Sequence, residues 1–275
     1  MSIGPSSGST VFEAITLALN EGIATITLNR PETLNALNAE MFLEIPQAIN
    51  QAVAAGADAL LITGAGRGFC SGADLVGPQF ASPPSEEQRE NVNRATFEKV
   101  IALVRALNEA PVPVVCAVNG VAAGGGVGIA LSGDVVLMSS QARLVLTFVP
   151  KLGLVPDVGA TWLMTRLAGR ARVMAASLLG DAISAQDAQH WGLVYKLCEP
   201  DQLLDEARAV CRRLADGPRQ AVLGTRRLVD AAPLMPLAAH MVLERDIQAP
   251  LIGGPDFNEG VAAFRDKRTP RFRRR

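Results

Sequence analysis

Within N-G-V-A-A-G-G-G-V-G-I-A-L-S-G-D (119–134), Gly124, Gly125, Gly126 and Gly128 separate the β-like run P-V-P-V-V-C-A-V-N from a short apolar helical segment. Glycine weakens strand and helix alike, because it gives up the most backbone freedom on ordering. Such a cluster needs a physical reason. Either the backbone takes a conformation that a Cβ resists, or another group approaches it closely.

The rest of the chain narrows the folds in which such a junction can occur. F-E-A-I-T-L-A-L, N-E-G and I-A-T-I-T-L-N read as two strands around a tight turn, from alternation and β-branching. N-A-L-N-A-E-M-F-L-E-I-P-Q-A-I-N-Q-A-V predicts a helix with Asn38 as N-cap. A-L-L-I-T-G is a short buried strand, followed by the glycine-rich loop G-A-G-R-G-F-C-S-G-A-D-L. A link, P-Q-F-A-S-P-P-S-E-E, leads into a helix over roughly 86–109, and D-V-V-L-M-S-S and R-L-V-L-T are further strands. From about residue 156 helical periodicity dominates. Strands alternating with helices predict a layered α/β core, with a helical C-terminal part that forms a second lobe or an oligomerisation surface.

Composition excludes several function classes. The 275 residues carry a net charge of −1 and 4% aromatics, so neither a global field nor base stacking favours nucleic acid. The four cysteines, Cys70, Cys116, Cys198 and Cys211, form no C-x-x-C pair and read as reduced cytoplasmic thiols. His190 and His240 have no neighbours that suggest a zinc cluster or a triad. The start, M-S-I-G-P-S-S-G-S-T, does not read as a signal peptide, having no charged start and no apolar core, and no run predicts a membrane span.

The glycine loops are weak candidates for phosphate binding. G-x-G-x-x-G fails in every register: counting from Gly124, Gly64 and Gly66, the last position falls on Ile129, Phe69 and Ser71. The chain holds no Gly-Lys pair for a P-loop. A different use fits. G-F-C-S-G-A-D and A-A-G-G-G-V-G could each aim one backbone N–H at a common point, which makes an oxyanion hole.

G-R-G-F-C-S-G-A-D-L, followed about fifty residues later by V-N-G-V-A-A-G-G-G-V-G-I-A-L-S-G-D, resembles the crotonase superfamily (enoyl-CoA hydratase/isomerase). So do L-N-R-P-E-T-L-N-A-L, L-G-L-V-P-D-V-G-A-T-W-L, G-D-A-I-S-A-Q-D-A-Q-H-W-G-L-V and F-N-E-G-V-A-A-F-R-D-K-R-T-P-R-F, in the family's order from about residue 12 to 272. The resemblance implies an α/β fold, the crotonase (ClpP-like) spiral of ββα units. It implies a core over 1–200, a C-terminal helical trimerisation region over 201–275, and a homotrimer or a hexamer built of two trimers. It implies an acyl-CoA thioester substrate, an enolate intermediate, no cofactor beyond the coenzyme A carried by the substrate, and no metal. Nucleic acid and membrane are not expected partners, and the expected location is cytoplasmic. The oxyanion-hole N–H groups would belong to Ser71 and Gly125. Arg30, Ala36 and Leu37 would line the adenine and pantetheine path, and Phe264 and Lys267 would meet the nucleotide end.

The resemblance also bears on the chemistry. Hydratases of the family carry two glutamates, at positions that here are Gly128 and Val149. Asp157, in V-P-D-V-G, falls where several isomerases carry Asp or Glu, and K-L-G-L-V-P-D-V-G-A-T-W-L-M resembles the ring-opening isomerases of phenylacetate degradation. A double-bond shift needs one group that takes a proton from one carbon and returns it to another. One carboxylate in an apolar pocket suffices. Asp157 as the cap of a helix starting near Val158 is the structural alternative. Two functional alternatives stay open. One is a hydratase using a carboxylate in 85–98, such as Glu86, Glu87 or Glu90; the other is a CoA-thioester binder without turnover. Asp74 and Asp134 read as structural, and Trp162 and Trp191 as core.

Overall fold

The computed structural model describes residues 12–76 and 86–272, the side chains of 86–93 excepted. Strands β1 (Ile15–Asn20) and β2 (Ile23–Leu28) form an antiparallel hairpin. Its turn residues Glu21 and Gly22 both have positive φ, 50° and 80°, which matches the twist of the hairpin. Helix α1 (Ala39–Ala54) starts as the sequence predicts: the Asn38 side chain accepts from the Met41 N–H at 3.1 Å.

Three strand–strand–helix repeats follow. The first is β3 (Ala59–Gly64), β4 (Gly68–Cys70) and α2 (Glu86–Asn108). The second is β5 (Val114–Val118), β6 (Val121–Ala123) and α3 (Gly125–Leu131). The third is β7 (Val135–Ser139) and β8 (Arg143–Val145), then a π-helical turn at Phe148–Leu152, α4 (Ala160–Ala168) and α5 (Arg170–Leu179). The chain continues through β9 (Ile183–Ser184), α6 (Ala185–His190) and β10 (Lys196–Cys198). It ends in α7 (Leu203–Ala215), α8 (Arg219–Ala231), α9 (Leu237–Gln248) and α10 (Pro255–Asp266). In every repeat the first strand joins a six-stranded sheet, β1-β2-β3-β5-β7-β10, and the second joins a four-stranded sheet, β4-β6-β8-β9. The chain thus winds as a spiral of ββα units.

The central strands read as continuous apolar runs because the large sheet is covered on both faces. Leu60 and Ile62 of β3 join one core cluster, whereas Ala59 and Leu61 join another on the opposite face. Val114, Cys116 and Val118 alternate with Val115 and Ala117 in the same way. Helix α7 covers the second face with Leu203, Ala207, Cys211 and Ala215, spaced every four residues. Burying Leu203 alone contributes about 1.5–3 kcal/mol. The compact core therefore runs through Ala215, past the residue-200 boundary expected from the sequence. Helices α8 and α9 contribute no buried residue. Asp134 and Arg226 tie α8 to the core. Arg226 donates to both Asp134 carboxylate oxygens, at 2.6 and 2.5 Å, and to the Ala110 and Val112 carbonyls. Trp162, expected in the core, is half exposed and carries the Arg166 guanidinium 4.1 Å from its ring centre.

Candidate active site

The ends of β4 and β6 bring the two glycine loops together. A Cβ on Gly72 would lie 2.8 Å from the Ala123 carbonyl and 3.3 Å from the Gly124 Cα, so the loops touch main chain to main chain. Gly124 adopts φ 52°, ψ −127°, a conformation open only to glycine, and turns the chain into α3. The other three glycines are required by packing. A Cβ on Gly126 would collide with the Cys70 carbonyl, and one on Gly128 with the Val158 carbonyl. One on Gly125 would lie 2.8 Å from Val158 Cγ2 and 3.1 Å from Leu37 Cδ1. Helix α3 is thus wedged between β4 and the turn that precedes α4.

Gly125 opens α3, where a backbone N–H has no acceptor within the helix. The second donor expected from the sequence is corrected by the structure. The Ser71 N–H donates to the Leu34 carbonyl at 2.9 Å, and the Ser71 hydroxyl donates to the Thr33 carbonyl at 2.8 Å. Both Ser71 donors are consumed in bracing the loop. Two residues on, Leu37 and Ala73 form a parallel bridge in which Leu37 N–H donates to Gly72 and Asp74 N–H donates to Leu37. That pattern turns the N–H of exposed Ala73 away from Leu37, on the side opposite the bridge. The motif alone does not show where the bridge falls.

Arg30, Ala36 and Leu37 gather at the same loop. Arg30 donates to the Ala36 carbonyl and to Asp74 Oδ2, both at 2.7 Å. Its guanidinium is a brace between the two segments, and Asp74 takes the bracing role expected of it. The Ala36 and Leu37 side chains are buried, and the Ala36 carbonyl and the Leu37 N–H and carbonyl are used in these braces. Asn35 is the organiser that sequence reading missed. Fully buried at φ 59°, it accepts from the Arg30 N–H and donates to the Ala65 and Gly68 carbonyls. Asparagine's tolerance of left-handed backbone was the available clue.

Asp157 stands one residue before Val158, whose side chain packs on Gly125. Helix α4 begins at Ala160, with Gly159 as N-cap and no side-chain cap. The Asp157 side chain therefore does not serve as the cap considered from the sequence. Burial pushes its carboxyl above the ordinary aspartate value, and only its own backbone N–H offsets this. Cys70, beside the loop, is buried and its thiol is pushed up to about 12, which makes it unreactive packing. Val149 is half-buried in the π-helical turn. Glu86, Glu87 and Glu90 have side chains outside the described residues. Phe264 and Lys267 stand apart on and just past α10. Phe264 is 86% exposed and lines a groove of about 790 Å³ with Pro218, Phe257 and Phe272, which shares no residue with the loops around Gly125. Among the described residues no group of three or more His, Cys, Asp or Glu is placed to hold a metal ion, and no helix is long and apolar enough to cross a membrane.

Comparison with known proteins gives concordant matches. The sequence model of the enoyl-CoA hydratase/isomerase family matches residues 18–275. The 1,2-epoxyphenylacetyl-CoA isomerase of Escherichia coli K12 is 40% identical over 267 residues, covering 95% of this chain and 99% of that protein. The trans-2-decenoyl-[acyl-carrier-protein] isomerase of Streptococcus mutans is 34% identical over 269 residues, covering 95% and 98%. Among solved structures, an enoyl-CoA hydratase from Polaromonas sp. JS666 superposes with a TM-score of 0.88 at 30% identity, over 95% of this chain and 100% of that one.

Proposed function

The chain belongs to the enoyl-CoA hydratase/isomerase family and is an enzyme of the crotonase fold, and from that premise we propose that it shifts a double bond in an unsaturated acyl-CoA through an enolate. The observation that carries this reading is the position of Asp157, half-buried and one residue from the Val158 side chain that packs on Gly125, with glycine at 128. The N–H groups of Gly125 and Ala73 receive the thioester oxygen. They are fixed before the reaction starts, so they stabilise the developing oxyanion without reorganising. The Asp157 carboxylate takes a proton from the carbon next to the thioester, and the electron pair delocalises into a dienolate. The resulting carboxylic acid returns the proton to the far end of the dienolate, and no atom is gained or lost. A raised pKa suits a group that must both take and give. Proton transfer and two N–H donors suffice for this shift, so coenzyme A enters only as part of the substrate.

The remaining expectations fit the same reading. In an assembly of three or six copies, Phe264 and Lys267 meet the nucleotide end of coenzyme A, lysine supplying charge to its phosphate. Four buried, unbridged thiols suit a reducing, cytoplasmic setting. The test is a paired assay of the purified protein with a 3-enoyl-CoA and a 2-enoyl-CoA, with products identified by mass and retention. Conversion of the 3-enoyl to the 2-enoyl isomer at unchanged mass is expected. A product heavier by one water from the 2-enoyl substrate would overturn the isomerase reading and direct the search for a base to residues 85–98.

A further inference from the structure

The turn before α4 holds Val158 at φ 51°. That region is uncommon for any residue with a Cβ and is an outlier for a β-branched one. A strained residue of this kind persists only where its surroundings over-determine it, and here they do. Val158 is 4% exposed, its Cγ2 lies 2.8 Å from the position of a Gly125 Cβ, and its carbonyl occupies the position a Gly128 Cβ would need. Gly159 follows at φ 74°, so two successive left-handed residues turn the chain at this point. Asp157 is attached directly to the locked residue.

We propose that Val158 is the positioning residue of the site: its side chain on Gly125 and its carbonyl on Gly128 hold Asp157 beside the hole and deny residue 128 the space to bring in a second carboxylate. The inference rests on the reading of Asp157 as the proton carrier. It also goes further, because it makes the choice between proton shuttling and hydration a property of the main chain at 158. Simply adding a glutamate at 128 does not restore a hydratase site, since the carbonyl already fills the first atom's place.

Three variants test this in the full chain. Val158→Gly releases both the strain and the contact on Gly125. It should lower kcat about 10–100-fold, as a small misplacement of a reacting group does, with KM within about twofold. Val158→Ile keeps the branched Cγ2 and should hold kcat within about threefold of the parent. Gly128→Ala pushes on the same carbonyl from the other side and should reproduce the kcat loss. A second readout needs no turnover. In carboxyl-labelled protein, the Asp157 resonance, assigned with Asp157→Asn, should titrate above the ordinary aspartate value in the parent and return towards it in Val158→Gly. Undiminished kcat in Val158→Gly or Gly128→Ala, equal impairment of Val158→Ile and Val158→Gly, or an unmoved titration would overturn the proposal. If the parent isomerises no substrate, the functional reading falls, and the titration still decides whether Val158 holds Asp157.

Discussion

At the scale of single residues, the proposed chemistry turns on one carboxyl whose environment works against stability. Burial raises the folded-state pKa of Asp157, so the native protein binds this proton more readily than the unfolded chain does. The cost is absent below the unfolded value and grows as pH rises through the folded value. Asp157→Asn should therefore raise the melting temperature at about pH 7 and leave it unchanged near pH 3. The same variant should lower kcat by about 10²–10⁴-fold, the usual worth of a general acid–base group. Melting curves and steady-state rates across that pH range check both. The carboxyl itself was legible in V-P-D-V-G. Its strained neighbour was not, because a valine at positive φ has no sequence signature. Ser71 and Ala73 show the same limit. Both lie in S-G-A-D, and only the Leu37–Ala73 bridge decides whose N–H is free.

At the scale of elements, α3 is short and glycine-rich because it packs against bare main chain on two sides. Its own propensity is poor, and the surrounding repeats make it a helix. Helix α8 shows the complementary case, an element with no buried residue that is held by polar clamps, Arg226 on Asp134 and Arg219 on Asp58. Arg226 and Asp134 have side-chain exposures of 15% and 22%, so the pair is largely desolvated. Arg226→Ala would leave the Ala110 and Val112 carbonyls and the Asp134 carboxylate short of donors. We expect a loss of about 2–4 kcal/mol in denaturant unfolding. Arg226→Lys should recover little of it, because an ammonium cannot reproduce the forked geometry. An Arg226→Ala protein as stable as the parent would show that α8 is held by other contacts. The sequence marked Asp134 as structural, but its partner 92 residues away could be found only in three dimensions.

At the scale of the whole molecule, the C-terminal helices are left with apolar residues in the open. Val229, Leu234, Leu237 and Met241 are between 56% and 75% exposed, more than scattered surface hydrophobics require. Covering them with further copies accounts for that exposure. Light scattering should give a mass of three or six chains, and Leu237→Lys with Met241→Lys should shift it towards one. A monomeric parent would remove the assembly reading and, with it, the role given to Phe264 and Lys267. The sequence by itself determined the ββα succession, the buried strands and the glycine junctions, because hydrophobic period and glycine placement are local signals. It also determined, through its motifs, the family and the absence of glutamates at 128 and 149. Only the tertiary structure decided which N–H groups are free, that Arg30 braces Asp74, that the core extends through α7, and that the Val158 carbonyl occupies the space beside Gly128. Each of these depends on which segments distant in sequence meet, and no local pattern of residues names the partner.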